Sequence, residues 1–226
     1  MTAPIPVRYD PFSTRRTARC AVRGPGDPGG VAELWLVLHG YGQLAGEFLA
    51  GCGALDDGTR LLVAPEALSR FYDARSSLER HAEATVGASW MTREDRLAEI
   101  EDQFHWLSLA HAHYAAQVPA DTPLTVLGFS QGAAAAARWV AGSGVPVAHL
   151  VCWGAALPPD VPIGPGSVLG RTRTTLVVGD RDRFVTADRI AMERDRLDAA
   201  DFRYAFERFE GGHRLDDATL RRLTGR

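Results

Sequence analysis

The stretch TVLGFSQGAAAAARWV, residues 125–140, joins two kinds of chain end to end. Thr125 to Phe129 is β-branched and apolar, which suits a buried strand. Ala133 to Val140 is alanine-rich, which suits a helix. Only Gly128-Phe129-Ser130-Gln131-Gly132 lies at the corner between them. A turn this tight forces Ser130 into a strained backbone conformation in which flanking side chains would collide. Glycine at 128 and 132 removes those collisions. The turn lifts the Ser130 hydroxyl off the sheet above the N-terminus of the next helix, a nucleophile elbow. Gly142-Ser143-Gly144 has no strand before it and reads as a helix-ending turn.

Working outward, short β-rich runs recur at residues 17–22, 33–38, 60–64, 124–129, 148–153, 174–178 and 202–208. Most of the middle ones are continuously apolar, as strands covered on both faces of a parallel sheet must be. Helical patterns separate several of them. The clearest starts at Thr92, read as an N-cap, with an apolar stripe at Leu97, Ile100, Phe104, Leu107, His111, Tyr114 and Val118. Alternating strands and helices predict an α/β fold around a mostly parallel sheet. The 226 residues are read as one domain, with no internal repeat and no convincing linker.

A serine hydroxyl needs a base, and the expected chain order on such a sheet is Ser, then Asp or Glu, then His. Only His149 and His213 follow Ser130. His149 falls in the apolar run AHLVC, whereas His213 follows Glu210-Gly211-Gly212 beyond the last strand, where a loop can aim its ring at the elbow. His213 is therefore read as the base. The acid follows the strand at 174–178, in GDRDRFV, where Asp180 and Asp182 both qualify. The developing oxyanion needs two N–H donors. One is that of Gln131; the other is that of Tyr41, in the glycine turn His39-Gly40-Tyr41-Gly42 after the strand at 33–38.

Composition excludes several other chemistries. The chain has no Lys, so Schiff-base catalysis, a Ser–Lys dyad and a Walker A lysine are absent; it has no Asn, so a Cys-His-Asn set is absent too. Cys20, Cys52 and Cys152 have no metal-site spacing and read as small buried hydrophobes. A net charge of −3 offers nothing to nucleic acid or an anionic membrane. No apolar run has transmembrane length, and the N-terminus does not read as a signal peptide, which argues for the cytoplasm. The mechanism calls for no metal or cofactor, and the partner is a small-molecule ester; a homodimer is left open.

The chain resembles the phospholipase/carboxylesterase family of α/β-hydrolases, which includes acyl-protein thioesterases and small bacterial carboxylesterases. The resemblance rests on His39-Gly40-Tyr41-Gly42, Gly128-Phe129-Ser130-Gln131-Gly132-Ala133, Gly154-Ala155-Ala156-Leu157-Pro158, GDRDRFV at 179–185 and Gly212-His213. It implies an α/β-hydrolase fold with helices on both faces of the sheet. The family pattern G-x-x-D-x-x-V falls on Gly179, Asp182 and Val185, and so selects Asp182 over Asp180. It also supports Tyr41 and Gln131 as oxyanion donors. The chain departs from the family at Gln43, where an acidic residue is frequent, and at Ala133, where a second glycine is usual. Residues 67–91 look closer to small bacterial esterases than to the better-known thioesterases, and they form a candidate cap.

Proximity to these loops nominates Phe71, Tyr72, Trp90, Met91, Trp153, Leu157 and Phe184 as substrate-binding residues. The expected activity is that of a serine carboxylesterase. The alternatives are an acyl thioesterase or lysophospholipase with the same triad, and a catalytically silent binding protein on the same fold.

Overall fold

In the computed structural model, which describes residues 7–73 and 84–225, apolar side chains leave each central strand in both directions. In β2 (Glu33–Leu38), Leu34, Leu36 and Leu38 join one core while Trp35 and Val37 join the other. In β6 (Leu124–Phe129), Leu124 and Val126 face the first core and Leu127 and Phe129 the second. This two-sided burial is why the runs are continuously apolar instead of alternating.

The chain order is β1 (Cys20–Arg23), β2, α1 (Ala45–Gly51), β3 (Arg60–Pro65), β4 (Ser69–Tyr72), β5 (Val86–Ser89), α2 (Arg96–Ala115), β6, α3 (Gln131–Gly142), β7 (His149–Trp153), α4 (Val168–Arg171), β8 (Arg173–Gly179), α5 (Ala187–Ala199), β9 (Ala205–Phe209) and α6 (Asp217–Leu223). Seven strands form one sheet in the order β1-β3-β2-β6-β7-β8-β9, parallel throughout except for β1 against β3. Residues of α2, α3, α4 and α5 pack into the first core, and those of α1 and α6 into the second. The expected sheet with helices on both faces is what forms. Among the described residues no helix is long and apolar enough to cross a membrane.

The core is anchored by Trp35, Trp139 and Trp153, each almost wholly buried. Burying an aromatic side chain of ~200 Å² stabilises the fold by about 5 kcal/mol, an upper value because unfolded chains are already partly collapsed. Helix α3 explains its own composition: Ala133, Ala135, Ala136 and Ala137 are all buried, so the helix lies close against the sheet with only Trp139 and Val140 as larger buried contacts.

Three local expectations change. The hairpin of β4 and β5 forms its own two-stranded sheet, which period-two reading missed because each strand is only four residues long. Helix α2 begins at Arg96, with Asp95 left-handed at its cap (φ 46°), because Thr92 is already committed elsewhere. Its hydroxyl accepts from the Glu94 N–H, and both its N–H and its hydroxyl donate to the Glu99 carboxylate. The stripe on α2 is also narrower than its spacing suggests: Leu107 is buried, Leu97 is 74% exposed, and Val118 lies beyond the helix.

The parallel register sets the site. Leu38 pairs with Gly128, Phe129 with Trp153, and Gly179 with Phe209. The carboxyl ends of β2, β6, β7, β8 and β9 therefore lie along one edge, and the loops carrying His39–Gln43, Ser130, Gly154, Asp180–Val185 and His213 leave from it.

In the loop between β7 and α4, Asp160 ties two helices together. It accepts from Arg138 of α3 and from Arg96 of α2, all at 3.0 Å. The Arg138 hydrogen bonds hold its carboxyl down at about 2, below the ordinary 3.8. A folded-state pKa below the unfolded value gives stability that is present above the unfolded pKa and lost as pH falls through the folded one. Asp160→Asn should therefore lower the thermal midpoint at neutral pH. The gap to the wild type should close in melts taken between 3.8 and about 2. A gap that persists below that window would mean the pair adds nothing through its charge.

Candidate active site

Ser130 sits between β6 and α3 at φ 54°, ψ −117°, a region that L-residues occupy only under constraint. Its N–H donates to the Trp153 carbonyl at 2.7 Å, which pins it to β7. A Cβ on residue 128 would lie 2.3 Å from the Gly132 carbonyl oxygen, and one on residue 132 would lie 2.4 Å from that of Leu38. Both contacts are with backbone, so neither glycine can be replaced without moving α3 or β2. The serine corner is thus wedged against its neighbours on both sides.

His213 donates from Nδ1 to Asp182 Oδ2 at 2.7 Å. The Asp182 side chain is 1% exposed, and its other oxygen accepts from the N–H groups of Phe184 (2.8 Å) and Val185 (3.1 Å). Asp180 does something different: its Oδ1 accepts from the Gly211 N–H at 2.8 Å, on the turn that leads to His213. Of the two acids left open by spacing, Asp182 touches the imidazole and Asp180 braces the loop behind it. Gly154 (φ 65°) makes room for the pair: a Cβ there would meet His213 Cε1 at 2.9 Å. Phe129 and Phe184 flank the ring at centroid distances of 4.8 and 4.7 Å.

The turn at 39–43 is held by hydrogen bonds. Gly40 N–H donates to Gln43 Oε1 at 2.8 Å, and Gly42 N–H to the Ala88 carbonyl of β5 at 2.9 Å. Residue 87 must be glycine for β5 to come this close, since a Cβ would lie 2.7 Å from the Gly42 carbonyl oxygen. Among the described residues, the Tyr41 and Gln131 N–H groups donate to no other group. His39 is structural. Its Nε2 accepts from the Ala67 N–H at 3.0 Å, so its Nδ1–H donates to the Gly40 carbonyl at 2.8 Å. Burial lowers its pKa and favours this neutral form. His149 is likewise buried, 2.8 Å from Thr175 Oγ1, with its pKa lowered to about 4 by burial.

The seven nominated substrate-binding residues divide. Phe71 stacks on Tyr41 at 5.1 Å, and Tyr72 and Phe184 are more than half exposed. Met91 is half-buried beside Arg138. Trp90, Trp153 and Leu157 are 1–3% exposed and pack into the cores. The two indole N–H groups donate to the carbonyls of His39 and Arg214, so these side chains brace the loops from below. Of the candidate cap, 74–83 lie outside the described residues; the remainder is the β4–β5 hairpin, seated on the turn at Tyr41.

The motif reading missed the Gln131 side chain. Its Oε1 accepts from the Trp90 N–H at 2.9 Å, and its Nε2 donates to the Met91 carbonyl at 2.6 Å. The residue after the serine thus fastens the end of β5 to the elbow, a role that no local spacing announces. Gln131→Ala leaves the Trp90 N–H without this partner. It should destabilise the protein by about 1–3 kcal/mol in urea unfolding; an unchanged midpoint would mean that water replaces the clamp at no cost.

This fold and this edge define an α/β-hydrolase. A family model described as serine hydrolase (FSH1) matches residues 33–216, and the chain belongs to that family. No curated protein sequence matches the chain. Among solved structures it is similar to a carboxylesterase from Mesorhizobium loti, with TM-score 0.68 and 17% identity over 95% of this chain and 98% of that one. It is also similar to acyl-protein thioesterase 2 from Zea mays, with TM-score 0.66 and 21% identity over 92% and 99%. A phospholipase/carboxylesterase from Dyadobacter fermentans gives TM-score 0.64 and 15% identity over 94% and 97%.

Proposed function

We propose that the protein is a serine carboxylesterase with Ser130 as nucleophile, His213 as general base and acid, and Asp182 as the group that orients His213. The observations that carry this reading are the strained Ser130 and the 2.7 Å His213–Asp182 pair, whose imidazole packs against Phe129, the residue before Ser130, and over Gly154. With Nδ1 engaged by Asp182, Nε2 is the nitrogen that exchanges protons with the substrate. Ser130 Oγ attacks the ester carbonyl carbon as His213 takes its proton. The N–H groups of Tyr41 and Gln131 stabilise the oxyanion. Collapse breaks the bond to the alcohol oxygen, which receives the proton from His213, and leaves an acyl-serine. Water, deprotonated by His213, then attacks the acyl carbon; the acid leaves and Ser130 regains its proton.

We further propose that Phe71 and Tyr72, on the hairpin beside Tyr41, form the acyl side of the site. The preference for esters over thioesters is part of the same proposal.

The test is hydrolysis of p-nitrophenyl esters from acetate to palmitate, with an acyl-thioester arm read by thiol release. Ser130→Ala should lower kcat by at least about 10⁴-fold while the protein stays folded; retained activity would falsify the nucleophile assignment. Asp182→Asn should lower kcat by about 10⁴-fold and Asp180→Asn far less, because an amide oxygen at position 180 can still accept from the Gly211 N–H. The reverse ranking would reassign the acid. Faster turnover of thioesters than of matched esters would replace the esterase reading by a thioesterase. Alanine at both 71 and 72 should shift the preferred acyl length, and an unchanged profile would remove the hairpin from the acyl side.

A further inference from the structure

Resting on the esterase reading, we propose that a cavity between α5 and β8 receives the alcohol part of the ester, and that its occupant is a neutral apolar alcohol. The cavity holds about 240 Å³. Its walls are Leu176, Val178, Ile190 and Phe206, and Gly154 and Phe184 line it as well. These last two residues connect it to the chemistry. Phe184 lies edge-on to the His213 ring, and Gly154 is the position where a Cβ would strike that ring. The cavity and the imidazole therefore share Gly154 and Phe184 as common neighbours.

Stereochemistry then says which half of the substrate belongs there. At the tetrahedral stage the oxyanion lies at the N–H groups of Tyr41 and Gln131, and the departing oxygen must lie within reach of the histidine that protonates it. The alcohol is therefore on the His213 side and the acyl chain on the other. The sheet order separates the two sides: β2, whose turn carries Tyr41, is on one side of β6, and β7 and β8 are on the other.

The charged groups around the cavity explain why the alcohol is neutral. Arg189 donates to the Phe184 carbonyl at 2.9 Å, and Arg194 lies over the Phe206 ring at 5.6 Å. Glu193 accepts from the Leu157 N–H at 2.9 Å and from Arg196 at 2.8 Å. Each of these side chains is engaged, the two arginines by a carbonyl and a ring and Glu193 by Arg196, and most of the remaining lining is apolar. The volume is below the ~300–1,000 Å³ usual for pockets that enclose whole drug-sized ligands, which suits half an ester.

The experiment measures kcat/KM for methyl and benzyl acetate, and for methyl acetate and methyl hexanoate, on the wild type, Ile190→Trp and Ile190→Phe. Circular dichroism and thermal melts establish folding; the smaller Phe keeps the test open if Trp is not accommodated. The benzyl-to-methyl ratio should fall about tenfold or more in the filled variants, the scale of a steric change in an apolar pocket, with the hexanoate-to-acetate ratio moving less than about twofold. Turnover with an unchanged alcohol ratio, or a shift confined to the acyl ratio, overturns the alcohol pocket and leaves the esterase standing. No turnover of any ester by folded wild type overturns the esterase reading itself, and the alcohol pocket with it.

Discussion

The structure depends on one close approach, that of the α3 N-terminus to the ends of β2 and β6. Two glycines permit it, and the alanines at 133, 135, 136 and 137 extend it along the helix by keeping the helix near the sheet. Ser130 at positive φ is the consequence. Such a residue costs about 1–3 kcal/mol and persists only where its surroundings allow nothing else. Here the surroundings are the Trp153 carbonyl that holds its N–H, the buried Trp139 farther along α3, and the parallel register that sets Phe129 opposite Trp153.

The same economy of backbone repeats at the other loops on that edge. Gly154 leaves space for the His213 ring, Gly87 for the turn at Tyr41, and Gly179 for the loop that ends in His213, where a Cβ would lie 2.4 Å from the Gly211 carbonyl oxygen. The last contact matters because Asp182 and His213 sit on separate loops. Arg181 N–H donates to the Gly211 carbonyl at 2.8 Å and Gly211 N–H donates to Asp180 at 2.8 Å, so the two loops are laced together before the imidazole meets the carboxylate. The short His213–Asp182 bond is therefore set by backbone geometry as well as by the attraction of the two side chains.

Elements governed by local rules were legible in the chain. The seven strands of the main sheet, the serine corner, and His213 as a loop residue apart from buried His149 all followed from periodicity, glycine placement and chain order. The pairing of Asp182, rather than Asp180, with His213 did not follow from spacing. It depends on which carboxylate points at a loop about thirty residues away, and only resemblance to a family selected it. Long-range polar contacts were hidden for the same reason: the Gln131 clamp joins positions about forty apart, and the Glu99 bonds that displace the start of α2 look like ordinary helix chemistry in one dimension. The burial of Trp90 and Trp153 was hidden as well, because adjacency to a site loop does not distinguish a side chain above the loop from one beneath it.

Helix α5 follows from the same reasoning. Its sequence, ADRIAMERDRLDA, is poor in large apolar residues, and Leu197 is its buried residue while Ile190 is only half covered. A helix that covered β8 well would press a full apolar stripe onto Leu176 and Val178, as α3 presses onto β6 and β7. This one leaves an apolar recess beside the His213 loop instead. On the other side of the elbow, Gln131, Trp90 and the Gly42–Ala88 bond hold the hairpin tightly against the turn at Tyr41. Packing is thus unequal across the serine, clamped on the Tyr41 side and relaxed on the His213 side. Under the function proposed above, an ester reacting at Ser130 would straddle that difference, with its alcohol toward the recess at α5 and its acyl chain toward the hairpin.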